Sequence, residues 1–145
     1  MNDAGARGNP EIVRFLALCD SVKGDVPLTL PAVQSEPFMP FWPTLIMHKW
    51  DAEKQDFLYT YWGTELVKVY EMELTGKYIL RGEFKETEQI FHRAHADAMA
   101  GPDPVYLHAS IYWINKEYRS LDAVIVPMSH ADGGQGTLAY LVFKR

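Results

Sequence analysis

Two short stretches, Tyr61-Trp62-Gly63-Thr64-Glu65-Leu66 and Met72-Glu73-Leu74-Thr75-Gly76-Lys77, decide how this chain of 145 residues is read. Ahead of them, residues 44–50 and 57–62 carry strand patterning, and the polar run 51–56 supplies a turn. The pair reads as an antiparallel hairpin. Gly63-Thr64 then switches the period: Leu66, Val67 and Tyr70 fit a short helix with Thr64 as its cap. Gly76 breaks the chain again, with Thr75 placed to bond nearby backbone.

Working outward toward the amino terminus, residues 11–22 place Ile12, Phe15, Leu16, Cys19 and Val22 at three- and four-residue spacings. That is an amphipathic helix, with Asn9-Pro10 at its start and Gly24 and Pro27 beyond its end. Residues 30–43 carry Pro31, Pro37, Pro40 and Pro43, and read as an ordered connector rather than a helix. Its Phe38, Phe41 and Trp42 are expected to pack on the main body. Toward the carboxyl terminus, Lys85 to Ala100 reads as a helix with Ile90, Phe91, Ala94 and Ala98 on one stripe, ended by Gly101-Pro102. Three strands follow. Residues 105–113 alternate with Leu107 and Trp113 inward and Tyr106, His108, Ser110 and Tyr112 on a wet face, 121–128 are nearly all apolar, and 138–143 form the last. Asn115-Lys116 and Asp132-Gly133-Gly134 supply the turns.

This order predicts an α+β fold, with a five-stranded antiparallel sheet and its helices on one face, preceded by the amino-terminal amphipathic helix. The first hairpin must lie beside the last three strands, because a lone hairpin is marginal in water. Residues 1–43 form a tail, helix and connector, and residues 44–145 the main domain. A net charge of −5 and scattered Lys and Arg argue against nucleic acid as the partner. The single cysteine, Cys19, allows no internal disulfide, and no apolar run reaches the ~20 residues of a membrane span. A soluble cytoplasmic protein is the expectation.

The chain resembles a PAS domain, and within that class the short stand-alone bacterial PAS proteins described mostly in alphaproteobacteria. The resemblance rests on the Gly63-Thr64 and Thr75-Gly76 steps and on Pro127-Met128-Ser129 followed by Asp132-Gly133, spaced along about residues 12–143. The loop after Ser129 departs from the pattern by carrying extra glycine, which leaves the register of the last strand open. The resemblance implies a sensory or signalling module that binds a small ligand or a protein partner and transmits a packing change. With no output segment in the sequence, the signal would pass through a homodimer built on helix 11–22, whose apolar side is free for a second copy, or to a separate signalling protein. Two other readings stand beside it: a small enzyme using the same cavity, with His95, Asp97 or tyrosines as acid and base, and an adaptor that binds no ligand.

Tyr61, Tyr70, Phe91, His95 and Trp113 are the candidate lining of a ligand cavity between sheet and helices. Gly63, Thr64, Thr75, Gly76, Asp132 and Gly133 are turn and cap residues. His92 and His95 stand three apart on a helix, a spacing that can bring two imidazoles to one metal, and some PAS domains hold haem through a histidine on the corresponding helix. At ~100° per residue His92 points away from the apolar stripe and His95 sits on its border, so solvated histidines are the preferred account, and His95 the better haem candidate. Cys19 lies outside the motif of thiol–flavin photosensors and reads as a small buried residue. The Ser129, His130 and Asp132 group reads as a turn, not a triad. Neither a catalytic residue nor a metal ligand is assigned, and the cofactor is left open.

Overall fold

The computed structural model describes residues 2–81, 85–114 and 117–145, with backbone alone for Lys85 and Glu86. The turn read at Asn115-Lys116 lies outside the described residues. Along the chain come α1 (Ala4–Arg7), α2 (Pro10–Lys23), β1 (Leu28–Thr29), α3 (Leu30–Val33) and a 3-10 segment, Glu36–Thr44. Then follow β2 (Leu45–Asp51), β3 (Asp56–Trp62), α4 (Thr64–Tyr70), a 3-10 turn Ile79–Arg81, α5 (Lys85–Ala100), β4 (Val105–Ser110), β5 (Ser120–Ser129) and β6 (Gln135–Lys144).

β5 is the hub of the sheet. It pairs antiparallel with β4 on one edge and with β6 on the other, β6 pairs with β2, and β2 with β3. The first hairpin therefore sits beside the last strand. Ser129 stands opposite Gln135, which fixes the register that the glycine-rich loop left open. The sheet has six strands rather than five, and one pairing is parallel: Leu28 and Thr29 align with Met128 and Ser129. This extra strand comes from the connector, which is also more helical than its prolines suggest. Pro31 and Pro37 occupy first-turn positions, where a missing N–H costs nothing.

Helices cover both faces of the sheet, not one. β5 and β6 are apolar at consecutive positions, so each strand presents a buried residue to either side. On one side Val124, Val126, Leu138 and Tyr140 pack with Ile12, Phe15 and Cys19 of α2 and with Phe38. On the other, Ala123, Ile125, Ala139 and Leu141 pack with Leu66 and Val69 of α4 and Ala94 and Ala98 of α5. The face read as wet is thus occupied by the amino-terminal helix. Tyr106 is buried there, beneath Arg7. The apolar side of α2 is consequently not free for a second copy: Ile12 and Phe15 are fully buried within the chain, and only Val13 and Val22 among its large apolar side chains are exposed. Asn9 caps α2 through the Glu11 N–H, and its amide also donates to Asp122 of β5 at 3.0 Å, tying the helix start to the sheet.

The Gly63 turn is dictated by space. A Cβ there would lie 2.2 Å from the Pro43 carbonyl oxygen, while the Gly63 N–H donates to Leu45 at 3.0 Å. Gly63 itself is the N-cap of α4, and Thr64 is its first helical residue with no capping bond, contrary to the sequence reading. Thr75 bonds the Glu73 carboxylate rather than backbone, and Gly76 adopts φ of +87° in the turn that follows. Asp132 accepts from the Gly134 N–H and pairs with Lys49, closing the last hairpin around Gly133. No helix among the described residues is long and apolar enough to cross a membrane.

Candidate functional site

A cavity of about 320 Å³ lies between the sheet and the α4–α5 layer. Its floor is Leu107 of β4, Leu121, Ala123 and Ile125 of β5, and Ala139 and Leu141 of β6. Ile46 and His48 of β2, Tyr59 and Trp62 of β3, and Tyr70 of α4 form one wall, with Met72 and Leu74 behind. Glu88, Phe91 and His95 of α5 form the other, and Lys77, Tyr78, Ile79 and Arg81 complete the lining. Lys77 and Arg81 are exposed and mark the rim, where Arg81 is engaged by Asp56 at 2.6 Å.

Three of the five candidate lining residues, Tyr70, Phe91 and His95, are brought together here; Tyr61 and Trp113 are not. The displacement of Tyr61 has a definite cause. Met47 pairs with Tyr61 but His48 with Tyr59, leaving Thr60 as an extra residue in β3. A bulge of this kind resets the alternation of the strand. Tyr59 and Trp62 therefore face the cavity, and Tyr61 turns to the opposite face, where its hydroxyl donates to the Trp42 carbonyl at 2.9 Å. Trp113 falls beyond the end of β4 at Ser110, in a turn where Ile111 takes the buried place. Its indole is 54% exposed and donates back to Ser110.

The polar chemistry of the cavity centres on two imidazoles. His95 is buried rather than solvated, because α5 is rotated so that Ile90 faces water at 57% exposure and His95 joins the buried side with Ala94 and Ala98. Its Nδ1 lies 2.7 Å from the Thr137 hydroxyl of β6. His48 is 1% exposed, and neither of its ring nitrogens has a hydrogen-bond partner among the described residues. The two rings lie 4.2 Å apart, and the Tyr59 ring is 4.3 Å from His48. Burial drives the His48 pKa well below its ordinary value, with His95 and His130 adding to the effect. Burial likewise pushes His95 down to about 3, aided by His92. The phenols move the other way: burial raises Tyr59, reinforced by Glu88, and raises Tyr70. At neutral pH the imidazoles are uncharged and the phenols protonated.

His48, Tyr59 and Trp62 were missed from sequence. His48 was recognisable as the polar member of the run Leu45-Ile46-Met47-His48, which is buried throughout, but its partner on α5 is 47 positions away along the chain. His92 does not converge with His95 on a shared ligand. It sits beside Trp50 and Phe57, with Nε2 3.2 Å from the Gln55 carbonyl. No group of three or more His, Cys, Asp or Glu among the described residues is arranged to hold a metal ion. His108 is exposed, bonded at 2.8 Å to the buried Asp122. Cys19 packs on the far side of the sheet from the cavity, its thiol pushed up to about 12, chiefly by burial. His130 accepts or donates nothing to Ser129 or Asp132; its Nε2 lies 2.8 Å from the His48 carbonyl.

No family model, curated protein or solved structure matches the chain. The functional reading therefore stands on the cavity itself.

Proposed function

We propose that the chain is a PAS-type sensory module that binds a small molecule between its sheet and the α4–α5 layer. The observation that carries this reading is the cavity of about 320 Å³ holding a buried imidazole, His48, with both nitrogens unpartnered among the described residues. An apolar hollow with a few convergent polar groups is the usual form of a ligand site. A buried polar group left unpaired costs about 1–3 kcal/mol, which a ligand able to bond it would recover. Two further features support the reading: the order of two strands, helical middle and three strands, and the place of the first hairpin beside β6.

The chemistry favours binding over catalysis. A general base works best with a pKa near the operating pH, and His95, held down to about 3, is far below it. Signalling follows if the ligand binds one packing of α5 on the sheet more tightly than another. Thr137, bonded to His95, is followed in β6 by Leu138, which packs in the cluster beneath α2. A shift of α5 thus bears on the amino-terminal layer through β6, one of the strands the two layers share, and a separate signalling protein reading that layer would receive it. Native mass spectrometry and an absorption spectrum of freshly purified protein test the reading. A bound small molecule supports it. An apo mass, with no change in melting temperature across a metabolite library, would transfer support to the ligand-free adaptor.

A further inference from the structure

We infer that the ligand is an uncharged planar ring compound of about ten non-hydrogen atoms, whose edge bears a hydroxyl or ring N–H that bonds His48. This deepens the ligand-binding reading and rests on it. The size follows from the volume: a water-sized group takes about 30 Å³, so about 320 Å³ holds roughly ten such groups. The shape follows from the walls. Ala123 and Ala139 make a shallow floor on the sheet, between the wall of Tyr59, Trp62 and Tyr70 and the facing wall that carries Phe91. Trp62 lies edge-on to Tyr59 at 5.7 Å and tilted against Tyr70 at 5.4 Å. The wall thus offers ring faces and edges in more than one direction, the two contacts an aromatic guest accepts.

The absence of charge follows from the polar groups. His95 and His48 offer neutral imidazoles, so neither supplies a counter-ion to a carboxylate or phosphate. The cations in the lining, Lys77 and Arg81, stand at the exposed rim, where an ion pair contributes little. His95 commits Nδ1 to Thr137, whereas His48 commits neither nitrogen. His48 can therefore take either tautomer, accepting from a hydroxyl or ring N–H.

Calorimetric titration of the full chain with 2-naphthol, naphthalene and 2-naphthoate tests this. These probes share a ring system and differ in the polar edge and charge. The expected order is 2-naphthol tightest, naphthalene weaker by roughly five- to 150-fold, the fold-change equivalent to leaving the His48 nitrogens unpaired, and 2-naphthoate weakest. His48→Phe keeps a ring and removes both nitrogens, so it should bring the affinities for naphthol and naphthalene together while changing naphthalene binding little. A second readout uses the unaltered protein. Nitrogen-15 NMR of the imidazoles should show one His48 nitrogen shifting as an acceptor on saturation with 2-naphthol and not with naphthalene. Equal binding of naphthol and naphthalene, or preference for naphthoate, overturns the ligand class and leaves the cavity reading intact. Binding of none of the three overturns the ligand class as well. If no small molecule copurifies either, the ligand-binding reading falls with it.

Discussion

Replacing Phe15 by alanine tests whether the amino-terminal helix is part of the core or a separable arm. Phe15 is fully buried, its ring stacked 4.8 Å from Tyr140 of β6 and edge-on to Phe38 and Phe41 at 6.1 and 5.3 Å. Truncating a phenylalanine in such a site costs about 3–5 kcal/mol, through lost burial and the cavity left behind. For a chain of this length that corresponds to a drop in Tm of roughly 6–20 °C. Val13, two residues earlier on nearly the opposite side of the helix and 51% exposed, supplies the control. Val13→Ala should stay within about 0.5 kcal/mol of the starting protein. The assay is urea unfolding followed by circular dichroism at two protein concentrations tenfold apart. A Phe15→Ala unfolding free energy within about 1 kcal/mol of that of Val13→Ala would refute the integral-helix account. If the loss instead varied with protein concentration, the apolar face of α2 would be serving a dimer, contrary to its burial against β6 in the monomer.

Acid should destabilise the protein through the cavity. Histidines held neutral in the fold contribute stability that is complete above the unfolded pKa near 6.5 and lost as pH falls toward the folded value, about 3 for His95. Each such imidazole adds up to about 1.4 kcal/mol per pH unit below 6.5, so unfolding free energy measured at pH 7, 6 and 5 should fall steeply. His48→Phe should roughly halve the slope, and a flat profile would contradict the buried neutral pair. Asp122 works at lower pH. Burial would raise its pKa, but bonds from Asn9, His108 and Lys144 outweigh that and hold it low. Its contribution is present above the ordinary carboxylate range near 4 and vanishes as pH drops through the depressed folded value, so Asp122→Asn should flatten the stability profile below pH 4. Gly63→Ala should destabilise by about 1–3 kcal/mol or more, since the new methyl meets the Pro43 backbone; a Tm unchanged to within 1 °C would show that the turn yields freely.

Sequence periodicity carried the element order and most strand limits, because each was written locally. α5 was read at Lys85–Ala100 and is observed there. What periodicity cannot carry is a count that changes in mid-strand. The bulge at Thr60 depends on how β3 meets β2, and nothing in the spacing of Tyr59 and Tyr61 distinguishes one from the other. The same applies to the rotation of α5. Ile90 is the more hydrophobic residue, yet it is exposed and His95 is buried, because Thr137 on a strand 42 residues away offers His95 a partner. The two-sided sheet was legible in principle: β5 and β6 are apolar at successive positions, a pattern that demands cover on both faces.

That two-sidedness also bears on how occupancy of the cavity would be felt elsewhere. Along β6, Ala139 and Leu141 belong to the cavity side, while Leu138 and Tyr140 belong to the side packed by α2. Along β5, Ala123 and Ile125 alternate in the same way with Val124 and Val126. A displacement of either strand's backbone moves both layers together, because successive residues serve opposite faces. The route is therefore two strands wide. Asn9, bonded to Asp122 between Leu121 and Ala123, ties the start of α2 to it by a polar contact, and β1 ties the connector to β5 through the backbone. Release of the Asn9 contact would free the Asn9 cap while Ile12 and Phe15 still anchored α2 to the sheet. Under the sensory reading, a ligand that moves β5 bears on the Asn9–Asp122 bond as well as on the packing of α2.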